Sequence, residues 1–503
     1  MKGQLSHPLN LPASGLPRSL KLRTAGRGAG TYKDHLYLLA LVLTAFAAVY
    51  FIPQSFTRII FLAFLVLFWN SKRDYIWFAL FFILVQQPGW FFADFSRTGL
   101  YRIPLYNFLP SMSVTAIDLF VVVALIKAWM KGKKRPFKLK RPALVIFIYM
   151  LFSICLSIIH GAGVTTLANL LRGPFYYSIV ISFLYLIKSK DEVFSFIKVI
   201  MPYVLFLLFT QIYDLITRTE FVNVFYAGFR STFLIEGTGQ VRATPGGFLI
   251  VFFSFLFAFF LIENKTHSIS KRFLYLIIST SFLIVVISAT RVWFVVFLFV
   301  FVFYIFISRR KVSNSLKIIT LIVLLMVVLV MSGAISSDFF SEAVFPRLTA
   351  VSSVIGGDYD AIPTFRTRYF FRLPRLLAMA KQNLIFGVGF TKEYFQYSDY
   401  HVGFFNTILQ FGILGFVCFL YFFLSYFVLI RKTVKRLAGQ NPYRQSLRFL
   451  SVAFSGILVA HFWTWYFFPM DGNSFIPFFI AVFIALTEFF INEAENHESE
   501  KPV

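Results

Sequence analysis

One histidine, His401, stands between two glycine pairs, Gly387-Val388-Gly389 before it and Gly412-Ile413-Leu414-Gly415 after it. Glycines so placed let a loop pass tightly into a helix. A histidine at that junction titrates near neutral pH and can take a proton from a sugar hydroxyl. A series of arginines accompanies it: Arg172 and Arg291 at the mouths of apolar runs, Arg230 and Arg242 in one connection, and Arg366, Arg368 and Arg372 in another. Several guanidinium forks facing one cavity suit a diphosphate, which they bind bidentately. Arg172 and Arg291 give the strongest signal, because each is flanked by apolar sequence where an unpaired charge is costly and a functional role is the default.

Other chemistries find less support. Asp358-Tyr359-Asp360 has the Asp-x-Asp form of nucleotide-sugar enzymes, but it falls on the side of the membrane that lacks nucleotide sugars and reads as a solvated turn. Phosphate-loop, His-Glu-x-x-His and paired Cys-x-x-Cys patterns are all missing. The two cysteines, Cys155 and Cys418, lie inside apolar runs, so neither a disulfide framework nor a thiolate metal site is expected. His461, Trp463 and Trp465, near an expected helix end, read as an interfacial aromatic belt, with a sugar-stacking platform as the alternative.

These residues must be positioned by membrane helices. Of the 503 residues, 58% are hydrophobic and 14% charged, whereas about a quarter of a soluble domain is charged. The apolar residues form long runs such as Phe248–Ile262 and Ile318–Met331, and in lipid such runs are helices that satisfy their own backbone groups. Spans are expected near 36–52, 57–70, 75–88, 112–129, 143–159, 173–188 and 195–215, then near 244–262, 273–290, 292–308, 315–334, 403–430, 449–468 and 474–491. That makes about twelve to fourteen crossings in an all-α, polytopic transmembrane bundle.

The formal net charge of +26 is concentrated in Lys131–Arg141, Lys188–Lys190, Lys271–Arg272, Arg309–Lys311 and Arg431–Arg448. These fall on alternate connections, as positive-inside bias requires, which argues for membrane lipids rather than nucleic acid as the partner. Residues 1–35 and 492–503 then form cytoplasmic tails, 36–334 and 403–491 the helices, and 335–402 a large extracytoplasmic loop with amphipathic helices around 364–380. The N-terminal stretch has no apolar core and does not read as a signal peptide.

The order of motifs resembles the superfamily of O-antigen ligases and O-antigen polymerases, over roughly residues 225–430. Arg366 and Arg368, then Leu376-Leu377-Ala378, Gly387-Val388-Gly389, His401 and Gly412-Ile413-Leu414-Gly415 follow its pattern. Thr290-Arg291 and the stretch from Arg242 to Gly247 are similar to two of its span entries. Val402 stands where that family often has asparagine, with Asn406 one turn further on, and Leu384 replaces a common proline.

The resemblance implies a GT-C-like bundle with a helical extracytoplasmic loop domain in the bacterial inner membrane. The implied activity is that of a metal-independent, cofactor-free inverting glycosyltransferase. Its donor would be an undecaprenyl-diphosphate-linked glycan and its acceptor a second glycan, with a flippase and a chain-length regulator as further partners. Polymerisation of lipid-linked repeats into O-antigen or exopolysaccharide is favoured. Ligation of the glycan to lipid A core, and a polysaccharide transporter or flippase, remain open. His401 and Arg291 would be catalytic, while Arg172, Arg230, Arg242, Arg366, Arg368 and Arg372 would bind the diphosphate.

Overall fold

The computed structural model describes residues 27–85, 103–109, 112–217, 221, 234–235, 240–241, 247–263, 269–288, 290–307, 311–331, 345, 349, 353, 356–359, 366–398, 402–437, 441, 443–463 and 475–499. It is a helical bundle. The first part contains α1 (Arg27–Phe51), α2 (Gln54–Asn70), α3 (Asp74–Val85), α4 (Ala116–Lys131), α5 (Lys140–Ile159), α6 (Val164–Tyr176), α7 (Ile179–Leu186), α8 (Lys190–Ile200) and α9 (Tyr203–Thr217). The second contains α10 (Phe248–Glu263), α11 (Lys271–Ser288), α12 (Arg291–Ile307) and α13 (Lys311–Met331). After a π-helical turn at Thr367–Arg372 come α14 (Leu373–Gln382), α15 (Lys392–Tyr397), α16 (Gly403–Arg436), α17 (Tyr443–Trp463) and α18 (Phe475–Ser499).

Among the described residues, seven helical segments are long and apolar enough to cross a membrane: Tyr32–Phe51, Lys140–Ile159, Val164–Leu186, Lys190–Thr217, Lys271–Ser288, Gly403–Arg436 and Ile476–Glu498. Five shorter apolar helices accompany them, at Gln54–Asn70, Asp74–Val85, Phe248–Ile262, Val292–Phe306 and Lys317–Val327. Every expected span overlaps a helix, and among the described residues these seven meet the length and composition for crossing on their own.

Helices that are apolar all round belong at the centre of a bundle. Every residue of α3 is buried. So are most side chains of α10 and α18, and Phe82 meets both Phe253 and Phe479 at the place where the three helices touch. Outer helices instead show large apolar side chains on their free faces, for example Leu144, Phe147, Ile148 and Leu151 of α5, and Leu420, Leu424 and Val428 of α16. A soluble monomer rarely tolerates continuous apolar surface on that scale; in a bilayer it is the lipid-facing side. The chain is a membrane protein.

Two sequence expectations on boundaries need correction. The span expected from residue 112 starts later, because Met112–Thr115 forms strand β2 of a hairpin with β1 (Leu105–Leu109). Thr115 then caps α4: its hydroxyl accepts from the Asp118 amide, and the Asp118 carboxylate accepts from the Thr115 amide. The connection expected at 160–172 is mostly helix, since α6 buries Leu170, Gly173 and Tyr176 along one face and runs through Pro174 towards α7. A second short hairpin, β3 (Leu234–Ile235) with β4 (Gln240–Val241), completes the described strands.

At its far end α18 continues beyond 491 to Ser499. There the Glu488 carboxylate accepts from the amides of Lys138 (2.8 Å) and Leu139 (2.9 Å), and Asn492 donates to the Pro136 carbonyl at 2.9 Å. The basic loop between α4 and α5 is thereby latched to the last helix.

Ring contacts fix the relative directions of the helices that matter for the site. Phe252 meets Trp293 and Phe259 meets Tyr304, so α10 and α12 run parallel. Phe260 meets Phe449 while Phe252 lies near Gly456, so α17 runs against α10. Phe404 meets His461 and Tyr426 meets Phe454, so α16 also runs against α17. The starts of α10, α12 and α16 therefore share one end of the bundle with the end of α17. The basic stretch from Arg431 to Arg448 lies at the opposite end.

Candidate active site

The two glycine motifs flanking position 401 are partners in one structure. α16 is broken at Gly412, whose φ of 64° and ψ of −172° lie in a region that only glycine enters readily. A break in a helix leaves carbonyls before it and amides after it without intrahelical partners, and in lipid those groups must be satisfied by protein. The segment 384–389 supplies the partners. Val388 N donates to Leu409 O and Gly389 N to Gln410 O, both at 2.8 Å. In return, Ile413 N donates to Leu384 O at 2.9 Å and Leu414 N to Ile385 O at 3.2 Å. The Tyr149 hydroxyl of α5 donates to the remaining carbonyl, that of Phe411, at 2.5 Å.

Close approach explains the glycines themselves. A Cβ on Gly387 (φ 73°) would lie 2.3 Å from Gln410 O, and one on Gly412 would lie 2.2 Å from Ile385 O. At Gly389 (φ 63°) it would meet Ser157 Oγ at 2.3 Å. That hydroxyl accepts from Phe390 N at 2.7 Å, docking the turn on α5. At Gly415 a Cβ would meet Phe411 Cβ at 2.3 Å and the Tyr149 ring at 2.5 Å. Both motifs thus clamp the loop to the broken helix and to α5, one short helix (α15) before position 401.

His401 itself lies outside the described residues, as do Arg230 and Arg242. Val402 and Gly403 follow His401 in the chain, at the end of the bundle where α16 begins. Arg291 is the first residue of α12 and opens at the same end; its side chain is outside the described residues.

Arg172 is committed elsewhere in the fold. Its Nε meets Asp118 Oδ2 at 3.2 Å, both side chains are largely buried, and Tyr176 donates to Asp118 Oδ1 at 2.8 Å. The pair joins α6 to the cap of α4, so a structural role accounts for Arg172 at the membrane boundary. Arg366 and Arg372 are exposed, whereas Arg368 is half-buried, so Arg368 is the one of the three turned towards the protein. Arg375 lies over the Tyr397 ring at 5.1 Å.

The amphipathic helix expected in the large loop is present as α14, which buries Leu376 and Ala380 and packs on α16. In the same loop, Asp358 and Tyr359 follow a glycine turn and are exposed, as a solvated turn requires; Asp360 is outside the described residues. Just before position 401, a hydrogen bond from Thr391, helped by the residue's own amide, holds the Glu393 carboxyl below its ordinary range.

The sequence matches no protein-family profile and no curated protein at significant similarity.

Sequence reasoning missed several contributors. Ser157 and Tyr149 gave only the weak sign of polar side chains in an apolar helix. The first half of α16 carries a buried polar stripe of Asn406, Thr407 and Gln410, and Gln410 Nε2 has no hydrogen-bond partner among the described residues. His461 does not fit the interfacial belt expected for it, because its side chain is only 1% exposed. Trp465 and the side chain of Trp463 lie outside the described residues.

Proposed function

We propose that the protein is a membrane glycosyltransferase that polymerises undecaprenyl-diphosphate-linked oligosaccharide repeats on the extracytoplasmic side of the bacterial inner membrane. The glycine clamp is the observation that carries this reading. Non-helical backbone at membrane depth is tolerated where it is buried in protein or lines a cavity. Here it sits at the end of the bundle where Arg291 opens α12 and where α16 starts two residues after His401.

In this reading His401 removes the proton from an acceptor hydroxyl as its oxygen attacks the anomeric carbon of the donor. The bond from that carbon to the diphosphate oxygen breaks on the opposite face, inverting the centre, and the electron pair leaves on undecaprenyl diphosphate. Arg291, Arg242 and Arg368 neutralise the departing charge, which preorganised donors do best in a site shielded from water. Arg230, Arg366 and Arg372 guide the diphosphate in, while Arg172 contributes through the fold. The proton taken up by the imidazole passes to solvent before the next cycle.

An apolar cavity of about 550 Å³ lies beside the clamp, lined by Met150 and Ile154 of α5, Phe175 of α6, and Phe419 and Phe423 of α16. Phe419, which lines it, also touches Phe411 in the clamp, and the apolar lining suits an isoprenoid tail.

Glycan length in a deletion strain tests the reading. A polymerase predicts single repeats on the lipid carrier or its acceptor. Full-length chains stranded on undecaprenyl diphosphate would instead mark a ligase, and unchanged polymer would overturn both.

A further inference from the structure

His461 ends its helix in an unusual setting. Its side chain is buried near the last turn of α17, and its ring stands edge-on to Phe404, with centroids 4.7 Å apart and planes at 76°. Phe404 is the second residue of α16 and also meets Phe416, on the far side of the Gly412 break, at 6.1 Å. The His461 ring therefore abuts the residue that bridges the two halves of the broken helix.

Its level in the bundle follows from α17 and α12. These cross closely at Gly456, where a Cβ would lie 2.7 Å from Val300 Cγ2. With a rise of 1.5 Å per residue, His461 sits about 7.5 Å beyond that contact and Arg291 about 13.5 Å beyond it, in the same direction. The polar stripe of Asn406, Thr407 and Gln410 lies in the same first half of α16.

We propose that His461 is a positioning residue of the transfer site: the edge of its ring pins Phe404, and with it the first turn of α16 that follows His401. Its catalytic consequence rests on the function proposed above. Its positional content does not, so the two are tested separately.

For position, Cys155 and Cys418 are replaced by serine, His401→Cys is introduced as a reporter, and maleimide labelling is timed in native membranes. His461→Ala should raise the labelling rate about two- to tenfold, the range expected for one aromatic pair. His461→Phe keeps a ring against Phe404 and should restore the original rate. Phe404→Ala should reproduce the rise without adding to that of His461→Ala. An unchanged rate in His461→Ala, or additive effects of the two alanines, overturns the proposal.

For catalysis, with His401 in place, His461→Ala should lower kcat by a similar factor while KM for the lipid-linked donor stays near wild type; His461→Phe should retain kcat. Loss of kcat in the phenylalanine variant would also overturn it, since a ring contact would then not be what matters. A wild-type protein that makes no polymer would refute the proposed function, and the labelling result would still decide the positional claim.

Discussion

Replacing Gly412 with alanine should open the clamp. The φ of 64° and ψ of −172° at this position cost a non-glycine residue about 1–3 kcal/mol. The added Cβ would also lie 2.2 Å from the Ile385 carbonyl oxygen and 2.4 Å from its carbon. Both are backbone atoms, so no flexible side chain can yield. Relief requires segments 384–389 and 409–414 to separate, which weakens up to four hydrogen bonds worth about 1 kcal/mol each. The combined penalty is about 3–6 kcal/mol against the closed clamp, enough to reduce its population by a factor of about a hundred or more. The readouts are the thermal aggregation midpoint in detergent and the rate of proteolytic nicking between Gln382 and Gly403. Gly163→Ala, which meets nothing within 4 Å and has no positive φ, is the control and should change either by little. A Gly412→Ala protein with the wild-type midpoint and nicking rate would refute the reasoning.

Asp118→Ala should destabilise the fold by about 3–5 kcal/mol, because the largely buried Arg172 loses the carboxylate that it meets. Adding Arg172→Leu should recover part of that loss in the same aggregation assay, and a further loss would contradict the pairing. At the opposite end, Asp74→Ala and Lys127→Met should each lower the midpoint, because Lys127 Nζ makes a buried ion pair with Asp74 at 2.5 Å and either change strands the partner's charge, whereas the double change should recover part of the loss. Arg291→Lys keeps the charge but loses the planar fork, so polymer yield should fall at least about tenfold; wild-type yield would remove the bidentate role.

Much of the fold was legible because lipid makes a simple demand: an apolar run must be a helix. Each expected span duly overlaps a helix, and the fully apolar runs of α3 and α10 lie in the centre. The hairpin before α4 and the helix α6 were missed for a common reason. Ser113, Val114 and Thr115 pair with β1, and α6 has a mixed face, so neither gives the uniform signal that marks a span.

In the site, glycine spacing announced a tight passage, but not that the two motifs bond to each other. That pairing depends on carbonyls and amides freed by a helix break that hydropathy does not register. The pairing of Arg172 with Asp118 was not legible because Asp118 is 54 residues earlier and separated from it by a whole helix. His461 was under-read because a histidine beside tryptophans has the composition of an aromatic belt, and only burial separates the two.

The most direct measurement of the central claim is polymer formation by the purified protein in liposomes supplied with one lipid-linked repeat. Wild-type protein should extend the glycan and release undecaprenyl diphosphate in equal amount, in the presence of EDTA, while His401→Ala should insert normally and yield neither product. Equal extension by His401→Ala, or none by the wild-type protein, would contradict the account.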